Sequence, residues 1–456
     1  MKNTSLLKDS PVIRWSMLFM VSLTMFAAYL ASDIFSPLKT MLEQHNQWTS
    51  TEYGWFSSSY SLFNVFLGML ILGGLLLDKM GIRFSGITSC LFMVVGLVIK
   101  YWAITSPELI SQPSILGLKA QVVWVVIGFG IFGVGAEVAG ITVSKTIVKW
   151  FKGRELALAM GMQLSIARMG SAAALIFSPM IAAKFQNVAP SVLFGVALMV
   201  AGSLAFMVYA FYDKKLDRQM KIESTTEEES FNWNDVKSII TNKGFWLIAL
   251  LCVVFYSAAF PFIKFATDLM VNKFSVDPKL AGTIPGMLPF GAIILTPLFG
   301  RIYDKYGHGA DLMIIGSFMI VIIHSLFAVP FINHWIAAVV LMILLGVAFS
   351  MVPSAMWPSL AKIMPERQLG TTYALTFYIQ NIGLWGMPVL IGYVLDKYCI
   401  IGTHIINGIE VNKYDYTLPM MIFAGMCSIA ILLAYMVKIE DKKKGYGLQL
   451  PNIKRK

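Results

Sequence analysis

Long apolar runs recur along the whole chain and restrict its possible folds more than any other feature. A helix that crosses the hydrocarbon core of a bilayer needs about 20 consecutive, mostly apolar residues. Twelve such runs are present, and they start near Trp15, Trp55, Ile82, Gln121, Leu156, Ser191, Phe245, Leu280, Asp311, Trp335, Leu369 and Leu418. They are too long, and alternate too little, to be the strands of a membrane β-barrel. The sequence therefore predicts an all-α membrane protein with twelve transmembrane helices.

The composition supports a bilayer as the environment of these helices. Hydrophobic residues make up 57% of the chain and charged residues 13%, which is about half of the charged share of a typical globular protein. A water-soluble domain with so few charges would expose apolar surface and aggregate. The net charge of +11 does not indicate a nucleic-acid partner, because the basic residues fall in short clusters between the apolar runs.

The distribution of lysine and arginine predicts the orientation in the membrane. Most of the 36 basic residues fall on one side of the predicted helices, and such an excess marks the cytoplasmic side. Both termini are then cytoplasmic. The polar segment Met1–Arg14 precedes an apolar run without a small-residue cleavage site, so we interpret that run as a retained first span and not as a cleaved signal peptide.

A polar segment and an internal repeat divide the twelve runs into two groups of six. The pattern G-x-x-x-D-K-x-G occurs at Gly74–Gly81, after the second run, and again at Gly300–Gly307, after the eighth. We therefore predict an N-terminal six-helix bundle at 1–212, a cytoplasmic linker at 213–243, a C-terminal six-helix bundle at 244–440 and a cytoplasmic basic tail at 441–456.

The duplicated pattern resembles the signature of the major facilitator superfamily. The resemblance covers the whole chain and implies two six-helix bundles around a central cavity that opens alternately to each side of the membrane. Ion pairs at helix ends can form in one state and break in the other. Five charged residues in the two copies or directly after the first one are therefore candidate gating residues: Asp78, Lys79, Arg83, Asp304 and Lys305.

Two opposite charges lie deep within predicted spans. Glu137 falls near the middle of the fourth span and Arg168 deep in the fifth. An ionisable side chain at the bilayer centre costs about 2.5–3.5 kcal/mol on insertion scales, so each needs a partner or a water-filled cavity. Each also lies on a helix face of small or polar residues, namely Gly133, Glu137, Gly140 and Ser144 in one span and Gly161, Ser165, Arg168 and Ala172 in the next.

Three interpretations of this pair remain open. Glu137 and Arg168 form a salt bridge that only holds two helices together, or they bind the charged ends of a zwitterionic solute, or Glu137 carries a proton in a coupled cycle. We favour the zwitterion, because the planar guanidinium of arginine binds a carboxylate at two points.

Other polar and aromatic residues within the spans are weaker candidates. Asp33 lies near the end of the first span, and Lys264 in the seventh span either contacts solute, extends to the interface or pairs with Asp268 at i+4. In the second half, a set of polar and aromatic side chains on two spans is predicted to form a wall that accepts varied solute side chains: Ser350, Ser354, Trp357, Tyr373, Phe377, Gln380 and Asn381. Tyr256 in the seventh span is a further candidate for solute contact.

Several longer stretches resemble the lysosomal dipeptide uniporter branch of the superfamily. They are Trp150–Leu156 with Gln163–Ser171, Phe260–Ile263, Ala355–Pro358, and Pro365–Thr371 with Ile379–Asn381. The resemblance implies facilitated passage of dipeptides without obligatory ion coupling, with Glu137 meeting a positive group of the peptide and Arg168 its carboxylate. Lys264 stands where the branch is expected to have a small neutral residue, which disfavours cationic cargo.

Leu6 and Leu7 are not preceded by an acidic residue, so the sequence shows no evident lysosomal sorting signal. Together with the short tails, this predicts a bacterial inner (plasma) membrane as the location and disfavours the lysosomal membrane.

The sequence thus predicts a transporter that moves small zwitterionic solutes, foremost dipeptides, by uniport through alternating access. The alternatives are a proton-coupled carrier of small organic anions or other metabolites and a non-transporting membrane sensor.

The sequence has no nucleotide-binding glycine loop, metal-ligand spacing or pairing of nucleophile and base, so neither enzymatic activity nor a cofactor or metal is predicted. The predicted partners are a small-molecule solute and the lipid bilayer, without nucleic acid; the sequence does not determine an accessory subunit.

Overall fold

A computed structural model of the protein describes residues 6–115, 117–151, 155–220, 233–365, 368–406 and 409–451. Within these residues the chain forms fifteen helices and one two-stranded sheet. The helices are α1 (Pro11–Asp33), α2 (Lys39–Asn46), α3 (Ser50–Phe66), α4 (Met69–Thr105), α5 (Pro107–Ser111), α6 (Ala120–Phe151), α7 (Leu156–Phe185), α8 (Ala189–Met220), α9 (Trp233–Ile240), α10 (Lys243–Phe274), α11 (Thr283–Tyr306), α12 (Gly309–Ala328), α13 (Trp335–Ile363), α14 (Leu369–Tyr398) and α15 (Thr417–Lys444). Short 3-10 turns span Leu7–Asp9 and Ser36–Leu38.

The all-α membrane architecture predicted from the sequence is confirmed. By length and composition, 11 segments of the described chain can each cross a membrane as a helix. Large apolar side chains such as Ile294 and Phe318 are exposed on helix surfaces, as expected for residues that face lipid.

The second predicted span is split into two helices, which is why it is not among the 11. Helix α3 ends at Phe66, and α4 starts again at Met69 after Gly68, whose φ of 61° lies in the left-handed region that glycine tolerates. Helix α4 then continues past Gly81, a non-helical residue with φ 81° and ψ 171°, into the third predicted span. The last glycine of the first G-x-x-x-D-K-x-G copy is therefore the turn between two spans.

An antiparallel hairpin connects α14 to α15, and the sequence analysis did not predict it. Strand β1 (Ile400–Ile406) pairs with β2 (Ile409–Tyr414), with an irregularity between Ile400 and Gly402. The side chains of Ile401 and Ile405 are exposed on this hairpin.

Packing divides the chain into two compact units. Unit 1 comprises Met1–Ile34, Leu62–Ala174 and Ala189–Ser230, and unit 2 comprises Phe35–Ser61, Leu175–Val188 and Phe231–Lys456. Unit 2 thus includes α2 and most of α3, which precede the linker in the sequence. The bundle boundaries given above stay a prediction.

Small residues bring the helices of unit 1 into close contact. A Cβ atom on Gly96 of α4 would lie 2.4 Å from the carbonyl oxygen of Gly128 in α6, and one on Gly135 would lie 2.6 Å from that of Ser89. Such approach of two backbones is typical of membrane helices, whose packing depends on van der Waals contact. The glycines of α6 therefore fix one face of this helix against α4.

Candidate functional site

The charges predicted to bind cargo lie together in unit 1. Glu137 lies in the middle of α6 and Arg168 in α7, and both side chains are half-buried. The hydroxyl of Tyr29 in α1 is close enough to Arg168, Glu137 and Asp33 to interact electrostatically with all three. We call Tyr29, Asp33, Glu137 and Arg168 the charged cluster. Three helices contribute to it, so the pair recognised from sequence is part of a larger polar group.

A glycine fixes α7 against α1 beside this cluster. A Cβ atom on Gly170 would lie 2.2 Å from the carbonyl oxygen of Phe26 and 3.1 Å from the amide nitrogen of Leu30. One residue further, the hydroxyl of Ser171 donates a hydrogen bond to the carboxylate of Asp33. The contact of α1 with α7 therefore holds Asp33 and Arg168 in one region of unit 1.

Gly170→Ala is expected to destabilise the protein by about 1–3 kcal/mol, because the added methyl group forces α1 and α7 apart. Thermal unfolding of the purified protein in detergent measures the effect. Gly161→Ala on the same helix is the matched control, because a Cβ atom there meets nothing within 4 Å and alanine favours helix. Equal melting temperatures of the two variants would contradict this description of the α1–α7 contact.

Room remains beside the charged faces of α6 and α7. A Cβ atom on Gly140 would meet only the Cε atom of Met25, at 4.0 Å, and Gly161 has an equally open position. Gly140 and Gly161 are therefore not positions at which a neighbouring helix packs closely. Which of the three interpretations of Glu137 and Arg168 applies stays a prediction.

The aromatic residues predicted to form a wall come together in unit 2. The indole Nε1 of Trp357 donates to the hydroxyl of Tyr256 at 3.1 Å, and the hydroxyl of Tyr373 donates to the carbonyl oxygen of Trp357 at 3.2 Å. The rings of Trp357 and Phe377 stack with centroids 4.8 Å apart, and the ring of Phe260 stacks on that of Tyr256 at 5.2 Å. We call these five residues the aromatic cluster.

Phe260 and Phe377 keep 38% of their surface exposed, so the aromatic cluster has an open face. The two predicted amides are more buried. Gln380 accepts a hydrogen bond from the thiol of Cys252 at 3.4 Å, and the side chain of Asn381 donates to the carbonyl oxygen of Phe377 at 3.0 Å. The bond of Gln380 joins α14 to α10, whereas that of Asn381 stays within α14. Contact with cargo stays a prediction for both amides.

Lys264 lies on α10 and is half-buried. The hydroxyl of Tyr53 donates to its backbone carbonyl oxygen at 2.8 Å. The carboxylate of Asp268, proposed from sequence as a partner of Lys264 at i+4, accepts hydrogen bonds from Lys39, Thr40 and Tyr416.

Lys39 is the centre of a buried group of charges in unit 2 that sequence analysis missed. Its ammonium lies 2.6 Å from Glu43 Oε1 and 2.9 Å from Asp268 Oδ2, and the three side chains are 1%, 7% and 0% exposed. The same ammonium lies 4.3 Å from the ring centroid of Tyr414. We call Lys39, Glu43, Asp268, Tyr414 and Tyr416 the buried ion cluster.

Two tyrosines complete the hydrogen bonds of this cluster. The hydroxyl of Tyr414 donates to Glu43 at 3.2 Å, and that of Tyr416 donates to Asp268. Burial, reinforced by the charge of Asp268, raises the pKa of Tyr416 well above its usual value. Its hydroxyl therefore keeps its proton and remains a donor to the carboxylate.

A further carboxylate fixes the start of α3 to α14 in unit 2. Asp396 accepts hydrogen bonds from the backbone amides of Ser50 at 2.9 Å and Thr51 at 2.6 Å. These amides belong to the first turn of a helix, where a negative charge is favourable.

The first copy of the duplicated motif is attached to α8 through an ion-pair network. Arg83 lies 3.2 Å from Asp213 and 2.5 Å from Asp217, and Lys149 of α6 binds the same two carboxylates at 2.7 and 2.6 Å. Asp213 is buried and also accepts from Trp150. Arg83 thus forms its ion pairs within unit 1.

Two of the remaining gating candidates, Lys79 and Lys305, are exposed. The side chain of Asp78 lies outside the described residues. In the second copy Asp304 is half-buried, and the ammonium of the exposed Lys305 lies 5.1 Å from the ring centroid of Tyr306. A gating role stays a prediction for all five residues. In the described part of the chain, no group of three or more His, Cys, Asp and Glu side chains is placed to hold a metal ion.

The membrane-spanning helices of the described chain define an α-helical multi-pass membrane protein. The model of the Major Facilitator Superfamily matches residues 21–388. The chain belongs to this superfamily, as its duplicated motif predicted, and it is a transporter of a small-molecule solute and not an enzyme.

The curated relatives agree with this assignment. The chain is 32% identical over 437 residues to the lysosomal dipeptide transporter MFSD1 of Danio rerio, a match that covers 93% of this chain and 86% of the relative. It is 29% identical over 383 residues to MFSD1 of Homo sapiens, covering 82% and 78%. The predicted resemblance to the lysosomal dipeptide transporters is therefore confirmed.

Solved structures share the fold at low identity. The nucleoside transporter NupG superposes with a TM-score of 0.67 at 15% identity, covering 92% of this chain and 99% of that one. A bacterial homologue of the human lysosomal transporter Spinster, in an inward-facing and unoccupied conformation, superposes with a TM-score of 0.71 at 13% identity, covering 95% and 98%.

Proposed function

We propose that this transporter carries dipeptides, or solutes with the same separated charges, by uniport. The observation that supports this most is the charged cluster of unit 1, in which Glu137 and Arg168 are both half-buried beside open positions at Gly140 and Gly161. The identity to proteins named lysosomal dipeptide transporters agrees with a zwitterionic cargo.

Each charge has a distinct role in this proposal. The guanidinium of Arg168 binds the terminal carboxylate, because its planar donors match the two carboxylate oxygens. Glu137 binds the amino group of the peptide. Asp33 adds a second negative charge to the cluster, which favours the positive charge of Arg168.

We assign the aromatic cluster to the side chains of the cargo. Flat rings with exposed faces, such as those of Phe260 and Phe377, can contact apolar cargo side chains of different shapes. Lys264 adds a positive charge on the helix that carries Tyr256 and Phe260, and it disfavours cationic side chains in the cargo.

Uptake of labelled alanyl-alanine into proteoliposomes tests the proposal. Uniport predicts uptake down the gradient that stops when the inside and outside concentrations are equal. An imposed pH gradient, without a solute gradient, should then drive no accumulation. Uphill accumulation would instead support the proton-coupled alternative with Glu137 as the proton site, and no flux of any dipeptide would reject the dipeptide assignment.

We further propose that the protein lies in a bacterial plasma membrane with both termini in the cytoplasm. The excess of lysine and arginine on one side supports this orientation.

Accessibility to a thiol reagent that does not cross membranes tests the orientation. Thr403→Cys in the exposed hairpin is expected to react in intact cells, because the hairpin precedes α15 and therefore lies at the helix end opposite to Lys444. Lys444→Cys at the end of α15 is expected to react only after lysis. Both positions are exposed and the four native cysteines are buried, so the native thiols provide little background. The reverse pattern would overturn the orientation.

A further inference from the structure

The chain after α15 turns back and packs against unit 2. Gly445 and Gly447 have φ values of 69° and 77°, which glycine adopts without strain and which allow the chain to reverse after a helix. Leu448 is fully buried. We call residues 445–451 the C-terminal strap.

Backbone carbonyls of the strap cap the start of α12. The oxygen of Gln449 accepts from the amide of His308 at 3.1 Å, and that of Leu448 accepts from the amide of Gly309 at 3.0 Å. The first amides of a helix have no partner within the helix. The strap therefore supplies acceptors to the segment that directly follows the second motif copy.

The strap is also attached to the ends of two other helices. The ammonium of Lys362, in the last turn of α13, donates to the carbonyl oxygens of Gly447 at 2.8 Å and Leu450 at 3.0 Å. The amide of Leu448 donates to Asp441 in the last turn of α15 at 3.0 Å. One short segment thus connects the ends of α12, α13 and α15.

Lys362 and Gly307 join the strap to the motif itself. The ammonium of Lys362 lies 4.8 Å from the ring centroid of Tyr303, a buried residue within the motif. A Cβ atom on Gly307, the last glycine of the motif, would lie 2.3 Å from the carbonyl oxygen of Gln449. At the corresponding Gly81 of the first copy, an added Cβ atom would have no neighbouring atom within 4 Å.

We propose that the C-terminal strap is a positioning element for the second motif copy, with Lys362 as its anchor. It holds the turn at Gly307 and His308, between α11 and α12, in one conformation and joins the ends of α12, α13 and α15 into one body. Transport by alternating access moves such bodies as units. Strap contacts therefore set the rate of transport and leave the affinity for cargo unchanged.

A cycle of glycine substitutions tests the positioning without any cargo. Gly307 and Gly81 have similar positive φ values of 75° and 81°, so alanine causes similar backbone strain at both, and only at Gly307 does it also meet the strap. In the full chain, Gly307→Ala is expected to lower the melting temperature more than Gly81→Ala. In a chain that ends after Gly445, the two substitutions are expected to cost the same. A difference that persists in the shortened chain overturns the proposal.

Variants of Lys362 test the effect on rate in the full chain, which also covers the case in which the shortened chain does not fold. Lys362→Met is expected to lower the maximal rate of alanyl-alanine uptake several-fold at an unchanged half-saturation concentration. Lys362→Arg, which retains a donor for both carbonyls, is expected to restore most of the rate. A chain that ends after Pro451 is the control and is expected to retain the full rate.

The rate measurement depends on the proposed function, whereas the glycine cycle does not. If the wild-type protein does not transport alanyl-alanine, the dipeptide assignment fails, and the glycine cycle alone then supports or overturns the positioning role. If uptake occurs and Lys362→Met leaves the maximal rate unchanged, or changes only the half-saturation concentration, the strap proposal is wrong and the dipeptide assignment stands.

Discussion

Lys39→Met is expected to destabilise the protein by about 3–5 kcal/mol, because it removes the cation from a buried group of charges. Glu43 and Asp268 are 7% and 0% exposed and both contact the ammonium of Lys39. Without it, two carboxylates remain in a region from which water is largely excluded, and they repel each other. The hydrogen bonds from Thr40, Ser50 and the two tyrosines of the cluster offset only part of this cost.

Thermal unfolding in detergent, with Lys397→Met as the control, measures this effect. Lys397 is an exposed lysine of the same unit whose ammonium binds the hydroxyl of Tyr393, and removal of such a surface contact costs little. Adding Asp268→Asn to Lys39→Met is expected to recover part of the loss, because one of the two buried charges is then absent. A Lys39→Met protein as stable as the Lys397→Met control would show that the cluster contributes little.

Arg168→Ala is expected to weaken the binding of a dipeptide by about 2–5 kcal/mol, which corresponds to a loss of affinity of about 30-fold to several thousand-fold. The variant removes the only guanidinium of the charged cluster and leaves the cargo carboxylate without its partner. Arg168→Lys keeps the charge but loses the two-point geometry, so an intermediate loss is expected.

Ligand-induced thermal stabilisation of the purified protein measures this loss, because a bound solute stabilises the folded state by an amount that grows with the logarithm of its concentration over its dissociation constant. Arg218→Ala, near the end of α8 in the same unit, is the control and is expected to bind normally. An Arg168→Ala protein that folds and still binds the dipeptide would contradict the assignment. A failure to fold in the absence of ligand would favour a structural salt bridge between Glu137 and Arg168.

The two motif copies have the same sequence pattern but are contacted by different parts of the chain. Both copies end in a glycine with positive φ, and the sequence alone shows their equivalence. In the structure Arg83 of the first copy binds Asp213 and Asp217, whereas Gly307 of the second is covered by the C-terminal strap. The repeat therefore predicts where the two loops lie along the chain, but it does not predict which residues contact and stabilise each loop.

The sequence by itself determined the transmembrane α-helices, the duplicated motif and the deep positions of Glu137 and Arg168. Each is a local property, because a run of about 20 apolar residues is long enough to span the bilayer and the position of a charge within that run gives its depth. The family resemblance followed from residues that are likewise contiguous.

Only the tertiary structure decided which distant groups meet. Lys39 and Asp268 are separated by 229 residues, and Lys39 follows the first apolar run closely enough to look like an ordinary loop lysine. The break at Gly68, the hairpin before α15 and the strap were equally hidden, because backbone turns and buried ion pairs depend on what packs around them and not on the neighbouring sequence.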